Sequence, residues 1–163
     1  MEHRRQQVGM GEIKIGTGSD ILHAILGSCV GIGFIWKNGN RCGLAHCLLP
    51  EAPTQICSIG ARYVSQAVPS LLMMMGIKEH DYPDIEVILA GGARMLKVGS
   101  RGFQVGPLNV AAAKKYLLKS GLKITYDDLG GRTGRQILID CEQKKFLVTG
   151  LARQNEGILH GNT

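Results

Sequence analysis

The chain has 163 residues, 44% hydrophobic, 20% charged and 5% aromatic, with 19 basic against 13 acidic side chains and a formal net charge of +6. These proportions suit one compact domain and exclude a mainly disordered chain, a coiled coil and a disulfide-dense miniprotein. The 23 glycines follow no Gly-X-Y period, so they speak for tight turns and close backbone approaches, not collagen. No apolar run approaches the ~18 residues that span a bilayer, and the start of the chain, with His3, Arg4 and Arg5, has no apolar signal core. The expected location is therefore the cytoplasm, without membrane insertion. Cysteines at 29, 42, 47, 57 and 141, with no CxxC, read as free thiols in a reducing compartment. The basic residues are scattered and come with no stacking or helix-turn-helix pattern, which argues against a nucleic-acid partner.

In chain order, 8–15 and 21–26 read as strands joined by the glycine-rich turn 16–20. Val30–Trp36 and Arg41–Leu48 flank Lys37-Asn38-Gly39-Asn40, an Asn-Gly hairpin signal, and Pro50 and Pro53 end that unit. Residues 58–75 carry Val64, Val68, Leu71, Leu72 and Met75 at helical spacing, interrupted by Pro69, and Met73-Met74-Met75 reads as core filling. A buried strand is expected at 84–90, ending at Gly91-Gly92, and a helix from Pro107 to Gly121. Strands at 122–127, 136–140 and 145–150 complete the reading, with a turn at 130–135. Seven or eight strands with two helical regions predict an α+β layered sandwich: a single domain, 1–163, with 1–7 and 153–163 frayed.

The hairpin supplies a geometric argument for chemistry. A two-residue Asn38-Gly39 loop pairs Lys37 with Asn40 and places Gly31 opposite His46 and Cys29 opposite Leu48. Cys29 and His46 then share a face as diagonal neighbours, with Cβ atoms roughly 7 Å apart. A thiol beside an imidazole can form a thiolate–imidazolium pair, and Gly31 would give the ring room to lean toward it. Gly27, two residues before Cys29, lets the chain turn so that the N–H groups of Ser28 and Cys29 face a developing oxyanion. The competing zinc set, Cys42, His46, Cys47 and Cys57, does not converge on an alternating strand, because Cys47 points away from Cys42 and His46. The turn at 130–135 lacks Gly-Lys-Ser/Thr and leads into a strand, so it is not a phosphate loop.

Five ordered blocks carry a resemblance. They are Leu26-Gly27-Ser28-Cys29-Val30-Gly31; Gly43-Leu44-Ala45-His46 with Leu48-Leu49-Pro50; Leu89-Ala90-Gly91-Gly92-Ala93 with Met95; Val105-Gly106-Pro107 with Asn109-Val110; and Asp128 with Gly130-Gly131 and Gly134-Arg135. In these the chain resembles the bacterial chemoreceptor glutamine deamidases, the CheD family. The resemblance implies a three-layer α/β/β sandwich like that of deamidating bacterial toxins, a papain-like site, no cofactor and no metal, and a monomer. Carried across by motif, Cys29 is the nucleophile and His46 the general base. The implied reaction converts glutamines in the cytoplasmic helices of methyl-accepting chemoreceptors to glutamate and ammonia. Methyl-ester hydrolysis is a possible minor activity, and a chemotaxis response-regulator phosphatase a possible partner.

The family's third member, a threonine six residues before the cysteine, is His23 here. Three readings stay open: His23 orients His46 through a ring nitrogen, Thr17 substitutes, or no orienting group exists. The alternative function is a mainly non-catalytic binding partner of a phosphatase or receptor.

Overall fold

The computed structural model describes residues 4–95 and 104–151. Within them the order is β1 (Arg4–Gln7), β2 (Ile13–Thr17), β3 (Asp20–Leu26), β4 (Val30–Trp36), β5 (Arg41–Cys47), α1 (Val64–Met75), a 3-10 turn (Glu79–Asp84), β6 (Ile85–Gly91), α2 (Val105–Ser120), β7 (Tyr126–Leu129), β8 (Arg135–Asp140) and β9 (Lys145–Gly150). The architecture is α+β with two mixed sheets. One has strand order β1-β3-β8-β9 and the other β2-β5-β4-β6-β7. Among the described strands, β1 with β3 and β6 with β7 pair in parallel and the other pairs are antiparallel.

The five-stranded sheet has a core on each face. On one, Val30, Ile32, Phe34, Ala45, Val87 and Leu89 pack against Val64, Val68, Leu71 and Met75 of α1 and Ala113 and Leu117 of α2. On the other, Ile35, Cys42, Leu44, Ile88 and Ala90 meet Leu22, Ala24, Leu26, Ile137 and Ile139 of the four-stranded sheet. A strand covered on both faces needs an unbroken apolar run, which is what Val30–Trp36 supplies. Its glycines admit side chains from the opposing sheet: a Cβ on Gly33 would lie 2.7 Å from Ile139 Cδ1, and one on Gly31 3.0 Å from Leu26 Cδ1.

Several expectations change in the fold. Of the strand expected at 8–15 only 13–15 are strand, in β2; residues 8–12 form the passage through Gly11 (φ +80°) that carries the chain from β1 in one sheet to β2 in the other. Residues 4–7, expected to fray, form an edge strand held by β3 and by Arg4, whose Nε donates to Asp20 Oδ1 at 2.7 Å. Residues 1–3 and 153–163 lie outside the described residues.

Helix α1 begins at Val64, not 58, and runs through Pro69, which lies on its exposed side. Of the methionine run, Met75 is buried and Met73 is exposed. Both helices stop at a left-handed glycine, Gly76 and Gly121. Residues 122–125 are not strand, since Leu122 turns into the helix-side core before β7 starts. Among the described residues no helix is long and apolar enough to cross a membrane.

The hairpin keeps its expected register by a different turn. Gly31 pairs with His46 and Ile35 with Cys42. Neither Asn38 nor Gly39 has a positive φ, so the tight mirror-image turn is absent and a four-residue loop, Lys37 to Asn40, takes its place. Asn38 is tied to Asp84 through its backbone N–H at 3.0 Å, and Lys144 Nζ donates to Lys37 O at 2.8 Å. Loops of two and four residues preserve the same parity, so His46 stays on the expected face.

Candidate active site

Two crossovers between the sheets lie side by side, and the reactive residues sit on and beside them. The chain leaves β3 at Leu26 and enters β4 at Val30, so Gly27, Ser28 and Cys29 form a three-residue bridge between sheets. The segment from β1 to β2 makes the parallel passage through Val8, Gly9 and Met10. A cleft of about 500 Å³ opens between them, lined by Gln7, Val8, Gly9, Met10, Ile25, Gly27, Ser28, Cys29, His46 and Met95. Cys29 and His46, expected together from the hairpin register, both line it.

The bridge is held through its carbonyls. Ala93 N–H donates to Gly27 O at 2.9 Å and Gly92 N–H to Cys29 O at 2.8 Å. The Asn109 side-chain amide, on α2, donates to Ser28 O at 3.0 Å and to Leu48 O at 3.1 Å. Cys29 is therefore not laddered to Leu48 as the simple register implied. β5 departs at Cys47 because Leu48 and Leu49 donate instead to Arg62 O, and the Asn109 amide spans the gap that opens. The approach of β6 to the bridge demands glycine at one position in particular: Gly91 has φ +104°, and a Cβ there would lie 2.3 Å from Cys29 O. The turn at Gly130-Gly131 buttresses this end: Gly130 N–H donates to Gly91 O and Arg94 N–H to Gly131 O. Buried Arg135 clamps that turn through Asp128 and the Gly130 carbonyl.

His46 is 4% exposed, and its Nδ1 lies 2.8 Å from Val8 O. A carbonyl oxygen only accepts, so Nδ1 carries the proton and Nε2 of the neutral ring carries the lone pair. Nε2 is buried without a hydrogen-bond partner among the described residues. Burial lowers the His46 pKa, against smaller opposing effects of the Val8 carbonyl and Glu12. Burial raises that of the Cys29 thiol. Both shifts favour the neutral forms, a thiol and an imidazole, over the ion pair.

The orienting group for His46 is a backbone carbonyl, which no side-chain motif can reveal. Val8 is itself fixed by its N–H donating to His23 O at 2.8 Å. His23 thus contributes its main chain. Its ring makes no hydrogen bond to His46, its Nδ1 is unpartnered, and it does not line the cleft. Thr17 is also absent from the lining; its N–H binds Asp20 Oδ2 at 2.9 Å in the turn before β3. Asn109 was legible only as part of a sequence block, and its role emerges from its complete burial. The zinc set stays divided: Cys42 lies in the intersheet core, Cys47 in the helix-side core, and Cys57 is exposed.

The family model for CheD chemotactic sensory transduction matches residues 48–150. A relative from Ruegeria sp. (strain TM1040), named probable chemoreceptor glutamine deamidase CheD 2, is 37% identical over 90% of this chain and 92% of its own length. Relatives named probable chemoreceptor glutamine deamidase CheD are 41% identical in Bdellovibrio bacteriovorus, over 81% of this chain and 86% of theirs, and 36% identical in Pyrococcus abyssi, over 87% and 89%. The relatives cover most of the chain, the expected resemblance is thereby established, and the chain belongs to the CheD family.

Proposed function

We propose that this protein is a cysteine amidohydrolase that converts selected chemoreceptor glutamines to glutamate, with Cys29 as nucleophile and His46 as base. The observation that carries the reading is the unpartnered, unprotonated Nε2 of His46 in the same cleft as the Cys29 thiol. The names of the relatives supply the substrate class.

In the proposed cycle Nε2 takes the thiol proton as Sγ bonds to the glutamine Cδ, and the carbonyl oxygen becomes an oxyanion. The N–H groups of Ser28 and Cys29, on the bridge that lines the cleft, are the donors that would receive that charge. The imidazolium returns its proton to the leaving nitrogen, the C–N bond breaks, and ammonia departs. Water, deprotonated by Nε2, then cleaves the thioester to give glutamate and restore the thiol. A neutral resting pair suits this scheme, because the base acts during attack and no stored ion pair is required. The Val8 carbonyl takes the orienting place of the threonine, and His23 acts through its backbone.

The same reading takes the chain as one domain, a monomeric three-layer α/β/β sandwich akin to the deamidating toxins, acting in the cytoplasm without cofactor. Cleavage of glutamyl methyl esters and docking of a response-regulator phosphatase belong to it as secondary features.

The test is incubation with a folded receptor cytoplasmic fragment, reading Gln-to-Glu conversion by mass spectrometry together with ammonia release. Wild type should convert the fragment and Cys29→Ala should not, with unchanged thermal unfolding. The second reading, a binding partner with little catalysis, is favoured by His23 in place of threonine and by the raised Cys29 pKa. It predicts that Cys29→Ala preserves signalling while deletion of the protein abolishes it.

A further inference from the structure

We propose that Met10, Ile25 and Met95 form a docking rim that grips the apolar stripe of an α-helix, so that the site reads an apolar residue about one helical turn from the target glutamine. This rests on the deamidase reading and concerns how that same site chooses among glutamines.

The three side chains are 67%, 52% and 53% exposed, and all line the cleft that holds Cys29. Single exposed apolar residues are ordinary; three from separate segments around one reactive thiol form a patch. Each is mounted on a fixed support. Ile25 stands on β3. Met10 sits in a turn closed by Glu12 N–H donating to Gly9 O at 3.0 Å and by Gly11 N–H donating to His46 O at 2.8 Å. The Met95 side chain lies across Gly27, where a Cβ would meet its Cγ at 3.5 Å and its Cε at 3.6 Å.

Charge and hydrogen bonding favour a helical partner over an extended one. The free edge beside the cleft is β1, and the outward carbonyl of Gln7 already accepts from Lys14 Nζ at 2.8 Å, so an added strand would find that acceptor occupied. Lys14 Nζ, at the carbonyl of the cleft residue Gln7, instead offers positive charge at the cleft wall, suited to an acidic side chain flanking an apolar stripe. A helix satisfies its own backbone and presents residues three and four apart on one face, which matches a rim of side chains without a strand-like ladder. Two of the three rim residues are methionines, whose flexible thioethers can mould to more than one helix.

The experiment uses the full chain and a purified helical receptor cytoplasmic fragment. Met10→Ser with Met95→Ser should raise KM about tenfold while kcat stays within about twofold, and Met10→Leu with Met95→Leu should restore KM. An unchanged KM, or a loss confined to kcat, overturns the proposal. So does equal turnover of a fragment whose helix is broken by proline. Calorimetric titration of the same fragment into the Cys29→Ala protein, with and without the serine pair, separates the two ideas. Binding weakened about tenfold supports the rim even where no deamidation is seen, and binding unaffected by the serines refutes it.

Discussion

Cys29, in the bridge before β4, and Cys47, at the end of β5, are both buried and close enough for the charge of one to act on the other, but they belong to the cores on opposite sides of the five-stranded sheet. Cys47 looks into the helix-side core, fully buried, and its thiol is pushed far up by burial and then by Cys29. Cys29 precedes the ladder partner of Cys47 and lines an open cleft. The helix face is sealed by α1 and α2, whereas the intersheet face ends at two short crossovers that cannot cover it. One sheet thus serves as foundation on one side and, on the proposed reading, as reaction surface on the other. What makes a cysteine a candidate nucleophile here is the face it occupies and where that face opens.

The largest way to break this division is from the sealed side. Phe34→Ala removes a fully buried ring from the helix-side core and should cost about 3–5 kcal/mol in denaturant unfolding. Next, Asn109→Ala removes a side chain that ties the Gly27–Cys29 bridge to Leu48, just past β5. It should cost about 1–3 kcal/mol in stability, through two unpaired carbonyls, and about a hundredfold in kcat, through misplacement of Cys29. A stability loss with kcat intact would show that the tie serves the fold alone.

A pH profile sharpens the comparison further. His46 acts as base only when neutral, and burial lowers its pKa, so kcat/KM should hold through neutrality and fall only below about pH 6.5, the ordinary histidine value. Stability should follow the same sign. The unfolded chain protonates His46 and His23 near about 6.5, and the folded chain only at lower pH. Their contribution is therefore complete above that value and is lost as pH falls toward the folded pKa values. The smallest effect is in thiol labelling: exposed Cys57 should react with iodoacetamide first, Cys29 more slowly, and Cys47 only on unfolding, as peptide mapping would record.

Local pattern carried much of this. The apolar run at Val30–Trp36, the polar loop after it and the run at Arg41–Cys47 contain their own register, because side-chain alternation and loop parity are properties of neighbouring residues. That put Cys29 and His46 together before any fold was known. The passage at 8–12 between the two sheets was not legible, since Val8 and Met10 alternate with glycines much as Ile13 and Ile15 flank Lys14, and only the opposing sheet decides where the chain pairs. Nor was the strand at 4–7, whose four polar residues carry no apolar signal and are held by β3 and the Arg4–Asp20 pair.

The chain alone therefore determined the family, the α+β composition and the placing of a thiol and an imidazole on one cleft, all of which reside in residue type and short-range spacing. Tertiary structure decided what surrounds that pair. The Val8 carbonyl that sets the His46 tautomer, the Asn109 amide that ties Ser28 to Leu48 and the burial that shifts thiol and imidazole toward their neutral forms all arise between segments distant in sequence. Main-chain groups are the same at every position, so only the fold selects which of them acts.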